Sequence, residues 1–192
     1  MLYPNGLKKN YNHTVHYGNR GMNLEEDINE SNLFYRTHNI GIIHKKPVPL
    51  TIAKVEFPSR REAVVREAYF KTPSTTDYNG IYRGKYIDFD AKESKSKTAF
   101  PLKNIHPHQL KHLESVLQHG GIAFLIVRFT TLDETYFLKA DDLLSFIETT
   151  ERKSIPITFF RQHAIPIPNK IHPRVDYLKI IDELYFKGGY RE

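Results

Sequence analysis

The chain has 192 residues, a formal net charge of +6 and a pI near 9.3, with 40% apolar residues and no cysteine. That length suits one domain with a substantial core, and the missing thiols exclude disulfides, a thiolate zinc site and a cysteine nucleophile. No run approaches about 18 apolar residues and no basic-then-apolar leader opens the chain, so neither a membrane span nor a secretory signal is expected and the protein is read as cytoplasmic.

Residues 1–20 are rich in Asn, Tyr, His and Gly, carry Lys8, Lys9 and Arg20, and hold no acid before Glu25. They read as a flexible basic arm, or equally as a frayed terminus, ahead of a single domain over 21–192. Asn23 is the expected N-cap of a helix reaching about Tyr35, with Glu25, Glu26 and Asp27 where the helix dipole favours acids. Pro47 and Pro49 punctuate a loop before a strand expected over 50–57, which Pro58 closes. An insertion at about 58–76 follows, carrying Arg60, Arg61, Arg66 and Lys71 beside Tyr69 and Phe70. Such cations can neutralise phosphates while the rings stack on exposed bases. The alternative for this stretch is an amphipathic helix packing Ala63, Val64 and Ala68 on its own domain.

The next segment carries the chemistry. From Tyr86 to Lys92 the residues alternate, Ile87, Phe89 and Ala91 pointing one way and Tyr86, Asp88, Asp90 and Lys92 the other. Arg83-Gly84-Lys85 is a glycine-centred turn, so the strand starting near Asp77 can fold back and bring Asp77 towards Asp90. Two carboxylates held together call for a cation, and hard oxygen donors suit Mg²⁺, or Mn²⁺ in its place. Lys92 shares the face and can hold an attacking water or offset charge developing on a phosphate. Asp88 shares it too, as a further ligand or as a partner for Arg83 or Lys85.

Ser94 to Thr98 forms a polar basic turn, on a DNA backbone or merely solvated. Pro107 begins a helix with Leu110, Leu113 and Leu117 inward, Gln109 off that stripe, and Gly120-Gly121 as its stop. His106, His108 and His112 lack the glutamate of the zinc-protease pattern and a third ligand, and read as surface or phosphate-contacting residues. Strands are expected at 122–129 and 136–139, and helices at 140–150 and 174–186, the latter with Val175, Leu178, Ile181 and Tyr185 inward. Between those helices, 155–168 reads as irregular with one short strand. This order is mixed α/β.

Asp77 followed by Asp90-x-Lys92 resembles the PD-(D/E)xK nuclease signature. Three longer stretches are more specific: Gly21-Met-Asn-Leu-Glu25-Glu-Asp-Ile, Lys71-Thr-Pro-Ser-Thr-Thr-Asp77-Tyr-Asn-Gly and Phe100-Pro-Leu-Lys-Asn-Ile-His-Pro-His-Gln109. Together they resemble the RecU family, Holliday junction resolvases of low-GC Gram-positive bacteria, over about residues 20–186. The resemblance implies a restriction-endonuclease-like mixed β-sheet flanked by helices, with the insertion at 58–76 projecting as a stalk whose Arg60, Arg61, Arg66 and Lys71 face DNA. It implies metal ligands at Thr75, Asp77, Asp90 and Gln109, and a transition-state lysine at Lys92. A magnesium-dependent homodimer that nicks four-way junction DNA in pairs during recombination and repair is further implied, with the RecA recombinase and the RuvAB branch-migration motor as partners. In similar archaeal resolvases a glutamate four places after a glycine on the first helix serves the active site, which falls here on Glu25. Many family members carry Glu where Asp90 stands, so this carboxylate reaches about 1.5 Å less far. The rival readings are a sequence-specific restriction endonuclease and a non-catalytic architectural protein that binds junctions.

Overall fold

Asn23 caps the first helix as the capping logic predicts: its Oδ1 accepts from Glu26 N at 2.9 Å while its own N–H donates to Glu26 Oε2 at 3.2 Å. A computed structural model describes residues 23–59, 62–70 and 75–186. The arm at 1–20 and the candidate DNA contacts Arg60, Arg61 and Lys71 lie outside the described residues. In chain order the elements are α1 (Leu24–Thr37), β1 (Ile42–Lys45), β2 (Leu50–Ser59), β3 (Glu62–Phe70), β4 (Tyr78–Tyr82), β5 (Lys85–Ser94), β6 (Ala99–Pro101), α2 (Pro107–Gln118), β7 (Ile122–Phe129), β8 (Glu134–Lys139), α3 (Ala140–Thr149), β9 (Ser154–Pro156), α4 (Ile157–His163), β10 (Ile165–Pro166) and α5 (Tyr177–Tyr185).

Six strands form the main sheet in the order β1-β4-β5-β7-β8-β10. Only the β5–β7 pair is parallel, as the crossover through α2 requires. The turn between β4 and β5 is the two-residue Arg83-Gly84, both at positive φ (49° and 78°), the geometry that matches the twist of paired strands. β7 is buried along its whole length and serves two cores by alternation. Ile122, Phe124 and Ile126 join α1 and α5 on one face; Ala123, Leu125, Val127 and Phe129 join α2, α3 and α4 on the other. An aromatic ladder crosses four neighbouring strands, with ring centroids 4.8 Å apart for Tyr78–Phe89, 4.7 Å for Phe89–Phe124 and 4.2 Å for Phe124–Phe137. The fold is thus the expected mixed sheet flanked by helices.

Several local expectations need correction. The strand expected over 50–57 is present as β2, but it runs through Pro58 to Ser59 and pairs antiparallel with β3 as a separate two-stranded ribbon, with Ile52 opposite Ala68 and Val55 opposite Val65, so the insertion expected from 58 begins with β2. The helical alternative for the insertion fails over 62–70. Val64, Val65 and Tyr69 favour extended backbone, and with all three exposed the described residues offer no buried face for a helix to use. The ribbon departs between β1 and β4, which pair with each other. β1 itself is four residues long, too short for its period to register in sequence. Residues 155–168 hold not one short strand but β9, the seven-residue α4 and β10. α5 starts at Tyr177 rather than Arg174, and Tyr185 is 39% exposed rather than inward. No described helix is long and apolar enough to cross a membrane.

Candidate active site

Alternation along β5 sends Ile87 and Phe89 into the α1/α5 core, with Ala91 packed against it, and leaves Tyr86, Asp88, Asp90 and Lys92 on the face that α2 covers. Asp88 and Asp90 are both wholly buried there. Tyr78 pairs with Phe89, so Asp77, one residue earlier, stands beside Asp90, and the two carboxyl groups are within hydrogen-bonding reach. Lys92 Nζ lies 3.1 Å from Asp90 Oδ2. Gln109 in the first turn of α2 donates its amide Nε2 to the same oxygen, and its Oε1 accepts from His106 N at 3.0 Å. Thr75 donates its hydroxyl to Thr76 O at 3.3 Å and lines, with Asp77, a cavity of about 270 Å³ whose walls include Glu25, Lys45, Lys46 and Thr76. The predicted group of Thr75, Asp77, Asp90, Lys92 and Gln109 is therefore brought to one place.

Burial pushes the Asp90 carboxyl up to about 7; the Lys92 ammonium works against the rise and the neighbouring Asp77 adds to it. An acid whose folded pKa exceeds its ordinary value near 4 stabilises the fold fully only below that value, and the contribution is lost as pH climbs towards 7. A cation that prefers the ionised form competes with the proton and lowers the pH at which Asp90 ionises.

Glu25 pairs with Lys45 on the cavity wall, and its helix start is held by Glu93 Oε1, which accepts from Leu24 N at 2.7 Å. Arg66 is exposed on β3 and ion-paired with Glu56 at 2.8 Å.

Asp88 resolves differently from either suggestion for it. Its Oδ2 accepts from Lys46 Nζ at 2.8 Å and Tyr86 OH at 2.7 Å and meets His112 Nε2 at 3.1 Å, while its Oδ1 accepts from Thr76 Oγ1. Arg83 instead pairs with Asp182, and Lys85 reaches Gly120 O. His112 is consequently a partner of a buried acid rather than a surface residue. Its place three residues after Gln109 on one helix face was the available signal; Lys46 and Thr76 left none. Among the described residues no trio of His, Cys, Asp and Glu is placed to hold a metal.

The sequence profile of RecU, described as Recombination protein U, matches residues 19–183. The chain belongs to the RecU family. Proteins named Holliday junction resolvase RecU from Bacillus thuringiensis (strain Al Hakam), Bacillus cereus (strain AH820) and Bacillus anthracis (strain CDC 684 / NRRL 3495) are each 51% identical to it over 197 residues, covering 97% of this chain and 98% of theirs. This RecU family member also matches the solved structure of Archaeoglobus fulgidus Hjc, a Holliday junction resolvase from an archaeal hyperthermophile. There the TM-score is 0.42 at 11% identity, over 74% of this chain and 92% of that one, a likeness too slight to argue from.

Proposed function

We propose that this chain is a divalent-metal-dependent endonuclease that resolves four-way DNA junctions in recombination and repair by paired, symmetric nicks. The observation that carries the reading is the gathering of Asp77, Asp90 and Lys92 on one covered strand face, in a family whose similar members are named Holliday junction resolvases.

The residues fit a metal. Two neighbouring carboxyl groups, one with its pKa raised, form a place that favours a positive charge between them, a proton or a cation. Asp77 and Asp90 would hold Mg²⁺, or Mn²⁺ in its place, with the Thr75 hydroxyl as a neutral oxygen donor; Gln109 presents its amide N–H to Asp90 and would add its oxygen only with the amide turned over. When bound, such an ion acts as a Lewis acid on the scissile phosphate and acidifies water. Lys92, its side chain only 17% exposed and its ammonium aimed at Asp90, holds the attacking water and offsets negative charge as the phosphate is attacked. Gln109 and the backbone N–H of Ala91 fix the Asp90 carboxylate on a strand that cannot shift without disturbing both cores. A junction is two-fold symmetric, so a C₂ homodimer offers each of two opposed strands its own site. The ribbon, with Arg66 and the flanking Arg60, Arg61 and Lys71, is the element we assign to the junction centre; the RecA recombinase and the RuvAB motor are its expected protein partners.

The test compares a labelled mobile junction with a linear duplex of the same arms, in Mg²⁺ at pH 6 and pH 8. Symmetric nicks in the junction, scarce on the duplex, more abundant at pH 8 and recovered at pH 6 by excess Mg²⁺, are expected from the ionisation of Asp90. Site-specific cutting of the linear duplex would point to a restriction-type enzyme, and an uncut junction to an architectural protein.

A further inference from the structure

The ammonium of Lys46 is held by the buried Asp88 carboxylate at the wall of the Asp77 cavity, and from that geometry we infer that it binds a backbone phosphate flanking the scissile one. The inference rests on the nuclease reading and names one of its substrate contacts.

Lys46 is fixed twice. Its backbone N–H donates to Asp77 O at 2.7 Å, tying it to the residue that carries the candidate ligand. Its Nζ donates to Asp88 Oδ2 at 2.8 Å and to Thr76 Oγ1 at 3.0 Å, while the side chain keeps 18% of its surface exposed. An ammonium has three N–H bonds, and among the described residues these two acceptors use two of them. The residue lines the same cavity as Thr75, Thr76 and Asp77, so the third can serve a ligand there.

The acid behind it is unusual for a purely structural pair. A wholly buried carboxylate carries a large desolvation cost, and an apolar pair of similar volume commonly serves stability as well or better. Here Asp88 has two hydroxyls and a histidine as well as the ammonium, which ties Lys46 of the β1 end, Thr76 before β4, Tyr86 of β5 and His112 of α2 to one point. That network presets the ammonium before any ligand arrives, the condition under which a cation contributes most to binding an anion. A nuclease substrate presents phosphates at successive backbone positions, so with one at Asp77 and Asp90 a neighbour falls within reach of the adjoining wall. Lys92 stands beside Asp90 and Lys46 beside Asp88, and these two acids are two residues apart on one strand face.

The experiment measures junction affinity in Ca²⁺, with single neutral methylphosphonates scanned through the positions either side of the cleavage point. Wild type is compared with Lys46→Met and with Lys46→Met/Asp88→Asn, the second so that no buried carboxylate is left unpaired. One flanking methylphosphonate should weaken wild-type binding about tenfold and cost either variant nothing further, and each variant should show a salt dependence shallower by about one released ion. Mn²⁺ affinity should stay within twofold. Additive losses from the variant and every methylphosphonate, or loss of Mn²⁺ binding along with DNA affinity, would make Lys46 a structural tie and overturn the inference. Failure of wild type to nick the all-phosphate junction in Mg²⁺ would sink the nuclease reading separately, because the coupling is read from binding alone.

Discussion

Lys92→Ala is expected to slow junction nicking by about 10³-fold while junction affinity in Ca²⁺ stays within about twofold. The ammonium lies 3.1 Å from Asp90 Oδ2, is largely covered, and shares the strand face that gathers the two acids, so its removal takes away charge at the reacting phosphate and the group that holds the water. It has a second consequence. Lys92 is the group that restrains the rise of the Asp90 pKa, so without it Asp90 ionises at still higher pH and binds metal less readily near neutrality. Rates are therefore best compared at pH 8 with excess Mg²⁺, where that indirect loss is suppressed and the direct one remains. A fall of less than tenfold under those conditions would remove Lys92 from the chemistry.

Phe124→Ala is expected to destabilise the fold by about 4 kcal/mol, read from urea denaturation. Phe124 is wholly buried at the middle of β7, its ring stacked between Phe89 at 4.7 Å and Phe137 at 4.2 Å, with Tyr177 tilted at 5.8 Å. Truncation interrupts a ladder that spans four strands and leaves a void that rigid ring neighbours cannot close. Because Phe89 lies between Asp88 and Asp90, the loss also loosens the strand that presents both acids. Phe124→Leu should cost clearly less; a cost below about 1.5 kcal/mol for the alanine variant would show that the ladder contributes little.

The period of two in Tyr86–Lys92 was enough to separate the core face of β5 from its charged face, and the turn at Arg83-Gly84 was enough to bring Asp77 beside Asp90. Both rest on short-range geometry, which sequence carries well. Asp88 shows the limit. Its place on the charged face was legible, but its partners Lys46 and His112 come from 42 and 24 residues away, and no local pattern reports which basic residue a buried acid will find. The pairing of the ribbon was hidden for another reason. Ile52, Val55, Val64 and Val65 are β-branched like the residues of any strand, and nothing in that composition distinguishes a main-sheet strand from one that pairs only with its neighbour. α4, seven residues between Pro156 and Ala164, is shorter than the window in which helical periodicity becomes visible. Gln109 was readable only through its family resemblance, since a lone glutamine in a first helical turn has no chemical signature of its own.

The most direct test of the central claim is diffraction from crystals soaked in Mn²⁺, recorded for the manganese anomalous signal. One peak per protomer between the carboxylates of Asp77 and Asp90, absent in Asp77→Ala/Asp90→Asn, is the expected result. A peak elsewhere, at His106 and His108 for instance, or none at millimolar Mn²⁺ in the wild-type protein, would contradict it.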